Sequence, residues 1–141
     1  MNRTIKVFVF YAKSFTSIEA AKEAAKTQFE IKEIKNISRL DEYYKIIGCE
    51  FVDITKRQIG NKFYWFVCDE SGRYADRVIY TVASKDGYLD IPGTVIIAGP
   101  EDMNGDLTSV TQQDIANIVS HMCLGEQDVD GERVVVPMIV Y

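Results

Sequence analysis

The sequence predicts an α+β fold: a mainly antiparallel sheet with two to three helices packed on it, in a single domain over residues 1–141. Three observations predict it. Short runs of residues alternate apolar and polar with the period of a strand. Turn chemistry joins those runs: Gly60-Asn61 is a candidate two-residue hairpin loop, Asp86-Gly87 supplies the positive φ that a tight hairpin needs, and Ser71-Gly72 closes a longer turn. Two helix starts carry a hydroxyl cap with an acid three residues on, Thr16 with Glu19 and Thr111 with Asp114. Since 47% of the chain is apolar, there is enough material for one core.

In chain order, residues 4–11 place Ile5, Val7, Val9 and Tyr11 on one side and Lys6, Phe8 and Phe10 on the other, a strand mostly buried on both faces. Thr16 then caps a helix running to about Phe29, with Ile18, Ala21, Ala25 and Phe29 on one stripe. Residues 31–37 are apolar only at every third position and read as a loop or a fraying extension. Ser38 with Asp41 caps a short helix over residues 39–47, which Gly48 stops. Residues 49–59 read as a strand, paired through Gly60-Asn61 with residues 62–68. A meander continues through residues 77–83 to 93–98. In its last strand Val95, Ile96, Ile97 and Ala98 lack alternation, as in a strand covered on both faces. Residues 99–106 form a loop. The helix from Thr111 aligns Ile115, Ile118, Val119 and Met122 and ends at Gly125. Glu126, Asp128, Asp130 and Glu132 read as an acidic linker before a last apolar strand. Pro137, which cannot donate to a ladder, assigns that strand to a sheet edge or a neighbouring subunit. The apolar surplus of Val134, Val135, Val136, Ile139 and Val140 predicts self-association into a homo-oligomer.

A formal charge of −5 argues against a surface that tracks extended nucleic acid or anionic lipid, so any anion site must be local. The first residues lack a secretory pattern and no run reaches the apolar length of a membrane span, which predicts a soluble, cytoplasmic protein. Cys49, Cys68 and Cys123 are widely spaced and odd in number, which suits reduced thiols rather than a disulfide framework or a zinc site.

Catalytic and metal patterns are sparse. His121, the single histidine, falls near a helix end, where an imidazole complements the last carbonyls. Glu126, Asp128 and Asp130 alternate like a calcium loop but without its glycine at the sixth position or its acid at the twelfth. Gly93-Thr94 opens a strand without the lysine of a phosphate-binding loop. No catalytic residue, metal or cofactor is implied. One bias remains: between Lys56 and Arg77 five basic residues face three acidic ones, reversing the sign of the whole chain, with Tyr64, Trp65, Phe66, Tyr74 and Tyr80 interleaved. Arginine and aromatic rings together suit a phosphate and a stacked base. The plainer reading makes the rings core and the charges decoration of strand edges.

The runs Val67-Cys68-Asp69-Glu70-Ser71-Gly72, Asp76-Arg77, Asp90-Ile91-Pro92-Gly93-Thr94 and Thr111 to Asp114 follow one another in an order and spacing that resembles a family of phage- and plasmid-encoded domains of unknown function. That family's pattern has asparagine where this chain has Asp69 and Asp76, so Arg77 alone carries over from its Asn-Arg pair. The resemblance covers roughly residues 43–118. It implies a phage gene acting in the host cytoplasm, similar in size to viral sponges, anti-Thoeris proteins among them, that sequester nucleotide-derived immune signals. The expected function is therefore non-enzymatic capture of a small anionic, nucleotide-like ligand, with Arg73, Tyr74, Arg77, Tyr80 and Thr94 as the binding residues. Inhibition of a host defence enzyme by protein contact and catalysis on a nucleotide are the alternatives.

Overall fold

The computed structural model describes residues 3–36 and 41–141. Its strands are β1 (Arg3–Phe10), β2 (Phe29–Asn36), β3 (Val52–Ile59), β4 (Lys62–Asp69), β5 (Tyr80–Ala83), β6 (Leu89–Pro92), β7 (Val95–Ala98), β8 (Met122–Val129) and β9 (Glu132–Val140). Helices α1 (Ile18–Ala25), α2 (Asp41–Ile47) and α3 (Gln112–Ser120) interrupt them. The architecture is α+β with the strands dominant, as the turns and caps predict, but the strands divide between two sheets. One has the order β2-β1-β7-β4-β3 and the other β6-β5-β9-β8. Among the described residues, all strand pairs are antiparallel except β5 with β9.

The meander expected after β4 is therefore broken. After β4 the chain leaves its sheet to build β5 and β6 in the other one. It then returns through Gly93, at φ +84°, so that β7 slots between β1 and β4. All four residues of β7 are buried, in agreement with their unbroken apolar run. Alternation along the central strands separates two cores. Phe8, Phe10, Tyr64, Phe66 and Ile97 meet Val82, Ile91 and Ile139 of the second sheet and Ile118 of α3. Val7, Val9, Val67 and Ile96 face the other way, toward Tyr43 of α2.

Several local expectations change. The cap of α1 is Ser17, whose side chain accepts from Ala20 N, and not Thr16. Helix α1 ends at Ala25, and Ile18 is half exposed rather than part of a buried stripe. Residues expected to fray form β2, an outer strand. Its two anchors point to opposite faces: Phe29 stacks on Phe8 at 4.7 Å, and Ile34 packs with Ile5, so neither helical nor strand period shows. The Ser38 cap lies outside the described residues, while α2 ends as expected at Gly48, at φ +78°. Strand β5 spans only Tyr80–Ala83 of the predicted run.

Helix α3 has the predicted capping box, with Thr111 and Asp114 bonded reciprocally, but it stops at Ser120 with His121 as its cap. Gly125 lies within β8, where a Cβ would meet Met138 Sδ at 2.9 Å, and the acidic run is strand β8 with a turn at Asp130-Gly131. Strand β9 is neither an edge nor a free tail: it lies between β5 and β8. Val140 N donates toward the β8 side, to His121 O, whereas Val135 N and Tyr141 N donate to Phe15 O and Ala83 O on the opposite side. Alternation puts the missing N–H of Pro137 on that opposite side too, before the β5 pairing begins at Ile139, so no ladder bond is lost. The apolar residues that predicted self-association are instead packed within the chain, with Val134, Val135, Val136 and Ile139 all buried.

Candidate functional site

Strands β3, β4 and β6 wall a cleft of about 300 Å³. Its floor is Asp90 on β6, only 5% exposed, placed there because Ile91 beside it turns into the core. Arg57 of β3 reaches it with two parallel hydrogen bonds, Nε to Oδ2 at 2.7 Å and Nη2 to Oδ1 at 3.2 Å. Tyr141 donates its hydroxyl to the same Oδ2 at 2.7 Å, and its ring lies 5.8 Å from the guanidinium. Arg57 Nη1 is held by Thr55 Oγ1 at 2.6 Å and Lys56 O at 2.8 Å. Burial alone would raise the Asp90 carboxyl. The bonds from Arg57 and Tyr141 and the guanidinium charge outweigh it and hold that carboxyl below its ordinary value of 3.8. Fixed in this way, the carboxylate is an anchor for the cleft wall and a poor general base, since the bonds that hold it also lower its affinity for a proton.

Arg73 and Tyr74 come from the short 3-10 turn Gly72–Tyr74 after β4, which sits tightly on β6: a Cβ at Gly72 would lie 3.1 Å from Pro92 Cγ. Arg73 Nη2 donates to Asp90 O at 2.8 Å, and the Tyr74 ring beside it is 88% exposed. Cys68 also lines the cleft, but its thiol is pushed up to about 11, first by burial and then by the charges of Asp53, Asp69 and Asp90. Such a thiol is protonated at neutral pH and is no nucleophile.

Of the five residues expected to bind ligand, the structure brings Arg73 and Tyr74 together here. Arg77 lies elsewhere, pairing with Asp130 at 3.1 Å and Ser14 at 3.0 Å. The backbone of half-buried Tyr80 is clasped by the Gln127 amide, which accepts from its N–H at 2.9 Å and donates to its C=O at 2.8 Å. Thr94 Oγ1 accepts from Ala12 N at 3.2 Å and ties the start of β7 to the end of β1. The positive bias of the sequence is dispersed for the same reason that strands alternate. Lys56 turns to the opposite face from Arg57 and lies over the Phe63 and Trp65 rings, while Lys62 binds Asp114 at 2.8 Å. The cleft itself holds four carboxylates, Asp53, Asp69, Glu70 and Asp90, against the two guanidiniums of Arg57 and Arg73. The residues expected to bind did not include Asp53, Arg57, Asp90 or Tyr141, although Arg57 lies in the basic run. Asp90 had a signal, a lone acid inside the Asp-Ile-Pro-Gly-Thr run, whereas Tyr141 had none.

Two other polar centres lie on α3 and at its end. Asp114 is 3% exposed and accepts from Lys62, Tyr64 and its own helix cap at Thr111 N, each at 2.8 Å. His121 Nδ1 lies 2.9 Å from Asn117 O, the end-of-helix role its position predicts. Among the described residues no group of three or more His, Cys, Asp or Glu is placed to hold a metal ion.

A model of a family described as a domain of unknown function, DUF3846, matches residues 20–122. The chain belongs to the DUF3846 family. The matched DUF3846 span runs from α1 to the start of β8, so it includes both arginines of the cleft and Asp90 but not Tyr141 or the central strand β9. No curated protein and no solved structure matches the chain. Among the described residues no helix of this DUF3846 chain is long and apolar enough to cross a membrane.

Proposed function

We propose that this chain is a non-enzymatic binding protein whose ligand, a compact nucleotide-derived molecule, sits in the cleft between β3, β4 and β6. The observation that carries the reading is Arg73, which holds Asp90 O by one nitrogen at the cleft beside an exposed Tyr74 ring. The rest of such a guanidinium matches phosphate geometry, and the neighbouring ring offers a face for a base. The carboxylates change the expected ligand. Asp53, Asp69 and Glu70 accept hydrogen bonds, so they suit the amino and imino donors of a purine edge more than a second phosphate. A ligand with one anionic end and one donor-rich end fits both halves. The family resemblance to phage- and plasmid-encoded domains supports the biological form of the proposal, sequestration of a nucleotide-derived signal of host immunity by a viral chain.

A second reading, a protein-binding inhibitor, is favoured by one observation: Phe63 of β4 and Met103 of the loop after β7 are both exposed and line one surface hollow with Lys56 and Trp65. Calorimetry with cyclic nucleotides and cyclic ADP-ribose isomers, followed by heating and mass spectrometry of what is released, separates the readings. Capture is expected to return the ligand intact. Arg73→Ala is expected to weaken binding by about 1.5–3 kcal/mol if a charged hydrogen bond to phosphate is lost, with Arg77→Ala unchanged. No heat with any nucleotide favours the protein partner, and a cleaved product makes the chain an enzyme.

A further inference from the structure

Strand β3 is an outer strand of the five-stranded sheet, and it lacks two devices that commonly blunt such an edge. It contains no proline, and it runs from Val52 to Ile59 in unbroken register with β4. The two-residue turn closes at Ile59↔Lys62, and Phe51 O accepts from Glu70 N at 3.0 Å. Odd-numbered residues of β3 therefore bond to β4, while Val52, Ile54, Lys56 and Gln58 direct their backbone groups outward. One of these, Lys56 O, takes a hydrogen bond from Arg57 Nη1, which keeps a lone pair free and brings the guanidinium to the edge.

We propose that two copies of the chain join edge to edge through antiparallel β3 strands, with the two-fold axis at Thr55, so that one sheet runs through both. Few registers are open, because outward-bonding residues must pair with one another. An axis at Asp53 or Lys56 sets like charges face to face, and an axis at Ile54 puts Arg57 opposite the partner's Phe51. An axis at Thr55 sets Asp53 opposite the partner's Arg57 twice over, with Thr55 against the partner's Thr55. Opposite charges and paired threonines on facing strands both stabilise a ladder. Asp53 is exposed, and Arg57 retains one Nη2 hydrogen beyond its bonds to Asp90, Thr55 and Lys56. Because Asp53, Thr55 and Arg57 line the cleft, the second copy also contributes a carboxylate at its mouth.

The experiment uses the full chain. Sedimentation equilibrium is expected to show a monomer–dimer equilibrium at micromolar concentrations, which Asp53→Arg weakens roughly tenfold or more by replacing two attractions with repulsions. Ile54→Pro removes an outward N–H that β4 does not use, and is expected to give a monomer with native circular dichroism. In a Cys123→Ser background, Thr55→Cys is expected to cross-link to its own copy under mild oxidation. Directly opposed, non-hydrogen-bonded residues lie about 4.5 Å apart at Cα, within disulfide reach. Ile54→Cys in the same background is expected to stay unlinked. A chain that sediments as a monomer throughout, a dimer that Asp53→Arg leaves unweakened, or cross-linking by Ile54→Cys in preference to Thr55→Cys would overturn the inference.

Discussion

Two carboxylates, Asp90 and Asp114, are almost out of reach of water, and each stays ionised because several donors converge on it. Both are held below the ordinary 3.8; burial opposes this, but hydrogen bonds from Arg57 and Tyr141 in one case, and from Lys62, Thr111 and Tyr64 in the other, prevail. The unfolded chain therefore binds more protons than the folded one in the interval beneath 3.8. The stabilisation is complete above that value and is lost as pH falls through the folded values. Stability followed by urea unfolding is expected to drop below about pH 4, and to drop less steeply in Asp90→Asn. Asp90→Ala is expected to cost about 1.5–3 kcal/mol at neutral pH, since Arg57 loses its charged hydrogen bonds to the carboxylate while keeping those to Thr55 and Lys56. Burial raises both the Cys123 and the Cys68 thiols, but Cys123 is exposed, whereas Cys68 is buried and pushed up to about 11. Alkylation of the native protein at pH 8 is expected to label Cys123 and to reach Cys68 only after unfolding.

At the scale of the element, a cap is decided by which oxygen meets a free amide. Thr16 and Ser17 are adjacent hydroxyls, and only Ser17 Oγ accepts from a helix amide, Ala20 N at 3.1 Å. Ser17→Ala is expected to lower unfolding stability by about 1 kcal/mol, and Thr16→Ala, at an exposed position, by less than about 0.5 kcal/mol. Equal losses would contradict the assignment. Thr111 was legible because Asp114 completes its box, a reciprocal pattern with few alternatives. Strand β2 was not legible: an outer strand needs few apolar anchors, and when two lie on opposite faces its sequence has no dominant period. Strand β8 was hidden for a related reason. Its acids are solvated and partly paired, Glu126 and Asp128 with Arg133 at 3.4 and 3.3 Å, which a linker's composition imitates.

At the scale of the molecule, β7 joins the β1–β2 pair to the β3–β4 hairpin, and β9 joins β5–β6 to β8. Ile97 of β7 is fully buried between the sheets, so Ile97→Ala is expected to cost about 2–5 kcal/mol in chemical denaturation, a large part of a domain's usual margin. The amides of β1 and β7 are expected to exchange most slowly with solvent, and a fast-exchanging β7 would contradict its central place. The cleft depends on the same long-range assembly, since Tyr141 reaches Asp90 only because β9 runs beside β5, with Tyr141 N bonded to Ala83 O at 3.0 Å. What the sequence by itself determined was local: the α+β class, the Gly60-Asn61 hairpin, the box at Thr111, the stop at Gly48, and a β7 buried on both faces. Each is set by residues a few positions apart, whose side-chain chemistry acts whatever the rest of the chain does. Only the tertiary structure decided that the strands form two sheets, that β9 is central despite Pro137, and that Arg73 shares a cleft with Asp90 while Arg77 does not. Alternation tells which face a residue takes but not which strand lies beside it. That choice rests on backbone pairing and on burial between segments far apart in the chain.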